Sequence, residues 1–244
     1  MAPDKDCKIQ RDKGSLTIEM PGSDHDYDPV RERFNAPRIF SDLEGRFDLQ
    51  VRVRIDYFPS AQSTVKGRPS FVSAGFLLIY PDKDYSICSR IEYALAQPGG
   101  SLGAPVVDPV LAEPRRRNPA PKEKKADSYA LMKTWIGAHQ RKGNTVEWDH
   151  RSPSQFSNYM WERGWPNWPL PEKAEYAYLR LDHREGWASF YISPDGEKWT
   201  RLEYLPSVPA KGKVGLAAYS TSTEPSKVRF DQLKLWRGKK KEQH

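Results

Sequence analysis

The sequence predicts an all-β fold, a sandwich or barrel of antiparallel strands, and three observations predict it. Short runs rich in β-branched and aromatic residues recur between clusters of Gly, Pro, Asp and Asn, and helical periodicity is nearly absent. Residues 47–58 alternate, Phe47, Leu49, Val51, Val53 and Ile55 against Asp48, Gln50, Arg52, Arg54 and Asp56, which puts one face in a core and the other toward water or a ligand. The last third carries five regularly spaced runs, 176–183, 187–193, 199–204, 214–220 and 228–236, with turn residues between them and no helix of the kind a βαβ unit needs.

Taken in order, residues 7–10 and 15–20 form a hairpin closed around Asp12-Lys13-Gly14. Residues 70–80 are almost continuously apolar, the pattern of a strand covered on both faces, and Asp82-Lys83-Asp84 turns the chain into an antiparallel partner at 85–95. After Gln97 the composition shifts to Pro and Gly, then to Pro, Arg and Lys as far as Lys125, the mark of a long exposed insertion. Residues 129–138 and 145–149 pair across Arg141-Lys142-Gly143-Asn144, and an aromatic segment at 156–171 follows. In the last third Glu185-Gly186 and Pro194-Asp195-Gly196 supply tight turns, with Trp199 returning to the core. The whole reads as one domain over 1–244, with an insertion at about 97–171 and a basic tail at 237–244.

Composition narrows the function classes. With 37% hydrophobic and 12% aromatic residues, 244 residues can fill one sizeable core. No run approaches the roughly 18 apolar residues of a membrane span, and residues 1–8 are too polar for a signal peptide, which fits a cytoplasmic chain and a secreted one that has lost its leader equally well. Much of the net charge of +7 lies in three runs, 115–117, Lys122 with Lys124 and Lys125, and 239–241; these read as solvated segments, not as a nucleic-acid face. Cys7 and Cys88 have no metal spacing and read as buried thiols, a disulfide being the alternative in an oxidising compartment.

Several segments, taken together, resemble bacterial laminin-G-like domains of the concanavalin A-like lectin/glucanase superfamily. They are Asn35-Ala36-Pro37-Arg38, 45–53, 74–78, 85–92, 178–200, 214–222 and 230–235, most of the chain outside about 97–171. The resemblance implies a two-sheet antiparallel jelly-roll sandwich. It also implies a carbohydrate-binding or adhesion module, since many such domains accompany enzymes, while other relatives cleave glycans. The acidic strand of the family's glucanases, two Glu flanking an Asp at alternate positions, is missing here.

Candidate site residues follow from the chemistry of sugar recognition. Arg90 and Glu92 share one face of their strand, and Arg180 and Asp182 share one face of theirs; if those faces coincide, forks and carboxylates line one cleft for paired hydroxyls. Cross-strand ion pairs on a solvated sheet are the alternative. Trp161, Trp165 and Trp168 offer ring faces for stacking, or form a small core that pins their loop. Glu92 and Asp182 are the pair to test for acid/base hydrolysis. Asp24, Asp26 and Asp28 resemble the start of a calcium loop, but Pro29 replaces the turn Gly and Asn35 the bidentate Glu, so a structural calcium needs ligands from elsewhere, and turn carboxylates are the other reading. Asp231 binds an ion or caps a turn, the turn being favoured. Beside the leading carbohydrate-binding reading and the hydrolase stands a protein-interaction domain that docks a partner through its Pro-rich and Trp-rich insertions.

Overall fold

The computed structural model describes residues 5–28, 33–56, 62–66, 70–80, 85–95, 130–142, 145–149 and 176–238, with the main chain alone at Tyr85, 92–95, 130–142, 145–149 and Glu203. The turns at 82–84 and 143–144, the Pro-, Arg- and Lys-rich stretch to Lys125 and the aromatic segment 156–171 lie outside the described residues. All regular structure among the described residues is strand, in two antiparallel sheets that pack as a jelly-roll sandwich.

The first sheet has seven strands. In spatial order they are β1 (Lys8–Asp12), β2 (Ser15–Met20), β15 (Ser226–Arg237), β6 (Phe47–Asp56), β11 (Tyr176–Arg184), β12 (Trp187–Ser193) and β13 (Thr200–Pro206). The second has six: β10 (Thr145–Asp149), β9 (Ala130–Lys142), β8 (Tyr85–Leu95), β7 (Phe71–Tyr80), β14 (Lys211–Ser220) and β5 (Arg38–Glu44). A two-stranded strap, β3 (Tyr27–Asp28) with β4 (Arg33–Phe34), completes the set.

Turn chemistry sets the hairpins. Asp12 pairs with Ser15 and Arg184 with Trp187, so each loop has two residues, Lys13-Gly14 and Glu185-Gly186. Gly14 and Gly186 both take φ of 86°, the left-handed region such tight turns require. Before β13, Asp195 Oδ1 accepts hydrogen bonds from the main-chain N–H of Lys198 (2.9 Å) and Glu197 (2.8 Å), which pull its carboxyl down to about 2.

Period-2 alternation decides what is buried. Val51, Val53, Leu181, Phe190 and Phe230 of the first sheet meet Val72, Phe76, Leu78, Ile87 and Ala218 of the second in one apolar core. The strap makes a second layer: Ala36, Phe71, Leu77, Cys88, Ala217 and Tyr219 are buried together, with Tyr27, Phe40 and Ile79 packed against them. β7 is therefore covered on both faces, as its continuous apolar run predicts. β5 and the strap were not legible as strands, because in Arg38–Glu44 Phe40 stands among Arg38, Asp42 and Glu44 on one face while Ser41 interrupts Ile39 and Leu43 on the other, and each strap strand has two residues.

His183 carries a pH dependence. Its ring is wholly buried, stacked on Phe47 at 4.8 Å, with Gly45 O 3.0 Å from Nδ1 and Pro209 O 3.2 Å from Nε2. Burial pushes its pKa below the ordinary histidine value, and the two carbonyls oppose this only in part. The folded state then holds neutral imidazole, whereas the unfolded chain takes up a proton near pH ~6.5. The stability this group contributes is complete above that value and is lost as pH falls through it toward the lower folded value. Denaturation midpoints measured from about pH 8 to about pH 5 should fall on acidification, and His183→Gln should flatten the slope in that window; an equally steep variant would exclude His183 as its source.

Candidate carbohydrate-binding face

Outward-facing residues of β6, β11, β12 and β15 fall into cross-strand rows on the solvent side of the seven-stranded sheet. Trp236, Asp48, Asp182 and Ser189 form one row; Lys234, Gln50, Arg180 and Tyr191 form the next. Two carboxylates thus stand directly opposite each other, an arrangement that destabilises a sheet unless cations offset it. Arg180 Nη2 lies 3.0 Å from Asp48 Oδ1, Arg184 Nη2 lies 3.4 Å from Asp48 Oδ2, and Arg184 Nη1 contacts Asp182 Oδ1. Burial, and then repulsion from Asp48, hold the Asp182 carboxyl above its ordinary value, with Arg184 and Arg180 opposing.

Aromatic rings border the four charges. The Arg180 guanidinium lies 5.8 Å from the Tyr191 ring and 6.0 Å from that of Trp199, and the Arg184 guanidinium lies 5.6 Å from Trp187. Trp199, expected in the core, is half-buried on this outer face instead, because the turn at Asp195-Gly196 delivers it beside Arg180. Further along, Arg52 grips Asp231 with both ends of its fork, Nε to Oδ1 at 2.6 Å and Nη2 to Oδ2 at 2.9 Å. Asp231 is therefore an ion-pair partner on the sheet, where the register places it opposite Arg52.

The four charged residues expected in one cleft divide between two sheets. Arg180 and Asp182 lie on the outer face of the seven-stranded sheet, whereas Arg90 and Glu92 belong to β8 of the other sheet. The core separates Asp182 from β8, so Glu92 and Asp182 are not brought together as an acid/base pair; Asp48 is the carboxylate the fold sets beside Asp182. Arg90 is 7% exposed, with its guanidinium 5.4 Å from Phe71, 4.6 Å from Tyr219 and 3.7 Å from Asp26 Oδ1, so burial beneath the strap keeps it from a soluble ligand. Trp161, Trp165 and Trp168 lie outside the described residues.

The carboxylates of Asp24 and Asp26 turn to separate partners. Asp24 Oδ2 meets Arg33 Nη1 at 2.8 Å, and the buried Asp26 accepts the Tyr27 N–H at 2.9 Å. Among the described residues, the group of three donor side chains within 4.8 Å of one another is instead Asp6, Cys7 and His25. Cys7 and Cys88 are thiols and form no disulfide. A cavity of about 710 Å³ opens between the sheets, walled by Leu16, Ile39, Leu43, Val214, Leu216 and Phe230. Its lining also carries charges, among them Asp12, Lys13, Glu44 and Arg237.

A solved structure shares the architecture. A functionally unknown protein from Saccharomyces cerevisiae is similar over 96% of this chain and 94% of its own, with a TM-score of 0.55 at 14% identity, which shows a common fold. Fainter likenesses are to an alginate lyase from Klebsiella pneumoniae (TM-score 0.47, 10% identity, 99% of this chain and 87% of that one) and a β-glucanase from Bacillus licheniformis (TM-score 0.42, 9% identity, 94% and 82%). No protein-family model and no curated protein matches the chain. No helix among the described residues is long and apolar enough to cross a membrane.

Proposed function

We propose that the outer face of the seven-stranded sheet binds a poly- or oligosaccharide, with Asp48, Asp182, Arg180 and Arg184 hydrogen-bonding its hydroxyls and Tyr191, Trp187 and Trp199 bordering the rings. The observation that carries this reading is the placement of Asp48 opposite Asp182. Arg180 and Arg184 already offset the repulsion of the two carboxylates, and a polyol that donates to both would add to this while the guanidinium forks serve its acceptor oxygens. The balanced charge, two carboxylates against two guanidiniums, suits a hydroxyl-rich ligand better than a strongly ionic one.

Binding should be read on a glycan array and then by calorimetry on the best hit. Arg180→Ala is expected to weaken affinity by about tenfold or more, equivalent to about 1.4 kcal/mol, and Trp199→Ala by a similar factor. Undiminished binding in both variants would remove this face as the site, and loss confined to Trp165→Ala would move it to residues 161–168.

The same carboxylates favour a second reading, glycoside hydrolysis with Asp182 as acid and Asp48 as base. Turnover abolished by Asp48→Asn and Asp182→Asn would establish it; binding without turnover leaves the module non-catalytic.

A further inference from the structure

The sandwich is open at one margin, on the core side of the sheet whose outer face carries Asp48 and Asp182. β2 pairs with β15 only over 226–230, and beyond Phe230 the strand has β6 alone as a neighbour among the described residues. The register keeps Leu235 on the core side, opposite the buried Leu49, and Arg237 opposite the buried Phe47. Yet Leu235 is 50% exposed, and Leu233 beside it 53%. What they face is the cavity of about 710 Å³, with Leu49, Phe230 and Leu235 on one wall and Ile39, Val214 and Leu216 of β5 and β14 on the other.

Sheets packed face to face stand about 10 Å apart, so a gap between two such walls is a slot for a thin, elongated molecule and too narrow for a folded partner. Aliphatic and aromatic side chains on both walls select a hydrocarbon, and the volume falls within the roughly 300–1,000 Å³ of small-molecule sites. The mouth adds a charge preference. Arg11 stands opposite Leu16 in the β1–β2 register, on its core-facing side, with Lys13 in the adjoining turn. Both are exposed, neither has an ion-pair partner among the described residues, and Asp12, between them in sequence, offsets one of the two charges. The carboxylates of the opposite wall are already engaged, Glu44 Oε1 at 3.2 Å from Lys211 Nζ and Asp42 Oδ1 at 3.9 Å from Lys213 Nζ.

We propose that this cleft binds the alkyl chain of a long-chain fatty carboxylate, with the head group at Arg11 and Lys13. The chain displaces water from apolar walls that the fold leaves open, and each methylene that enters raises affinity about fourfold. Charged residues at inward-pointing positions also deter edge-to-edge pairing of strands, but that role alone produces no preference between ligands whose head groups differ in sign. No residue of the glycan-binding face lines the cleft, so the two sites can fail independently.

The test is a fluorescence titration of the full chain with cis-parinaric acid, a polyene carboxylate that brightens in apolar surroundings. Octanoate, decanoate, laurate and dodecyltrimethylammonium, all kept below micelle formation, then compete for the site. Expected are one equivalent bound, displacement that strengthens about fourfold per methylene from octanoate to laurate, and a preference for laurate over dodecyltrimethylammonium of about tenfold or more. Leu235→Glu should weaken laurate binding by about tenfold or more, and Arg11→Glu with Lys13→Glu should abolish the preference between head groups. All three positions are exposed, so these variants should fold, which far-ultraviolet circular dichroism checks. Absence of saturable uptake by the unaltered chain overturns the proposal, whether a second copy then covers the cleft, seen as a dimer on sedimentation, or another segment of the chain does. Laurate binding insensitive to Leu235→Glu, or equal affinity for the two head groups in the unaltered chain, overturns it as well.

Discussion

Arg90→Ala is expected to destabilise the fold by about 3–5 kcal/mol, the usual result of removing one member of a buried ion pair. The Arg90 side chain is 8% exposed and that of Asp26 is 1% exposed, with Nη1 and Oδ1 3.7 Å apart. The guanidinium also spans the rings of Phe71 and Tyr219, so alanine removes a cation, its stacking area and the neutralisation of a carboxylate that water cannot reach. A shift of the denaturation midpoint at unchanged slope measures the loss. Replacing both partners with apolar residues, Arg90→Met with Asp26→Leu, should recover most of it, because no charge is then left buried. A single variant as stable as the starting protein would show that the strap does not depend on this pair.

Phe190→Ala should cost about 3–5 kcal/mol by a different route, the loss of transfer energy together with the cavity left behind. Phe190 is fully buried, pairs with Leu181 on one side and Glu203 on the other, and belongs to the inter-sheet core. Beside it the register of β12 against β13 shifts, so that Tyr191 faces Arg201 and Leu202 is accommodated as the extra residue, itself buried. Thermal melts of Phe190→Ala and Phe190→Met should separate clearly, with methionine much the milder change. Equal melting temperatures would mean that the core relaxes around the site.

What the sequence made legible follows from how each signal is encoded. Alternation is local, so the strand of Phe47 to Ile55 and the five C-terminal runs were readable one by one, as was the double burial of β7. Pairing across sheets is not local. Nothing in 90–92 or 180–182 states that β8 and β11 belong to different layers, so the expected four-charge cleft became two separate environments, one beneath the strap and one on the open face. Asp48 was legible only as the polar phase of an alternating strand; its meaning depends on standing opposite Asp182, a partner more than a hundred residues away. Trp199 was misplaced for the same reason, since a turn-flanking tryptophan can finish on either side of a sheet.

The position of the last two strands bears on how the chain reaches this structure. β15 lies between β2 and β6, and β14 lies between β7 and β5, so a central strand of each sheet comes from residues 211–237. A growing polypeptide cannot finish either layer until that stretch has left the ribosome, and until then β2, β6, β7 and β5 present unfilled edges. Closure joins segments some two hundred residues apart, Ser226 with Met20 and Phe230 with Leu16, and high contact order of this kind slows folding. The sandwich therefore cannot close until residues 211–237 are available to it, and until then the open edges of β2, β6, β7 and β5 are exposed to pairing with those of other molecules.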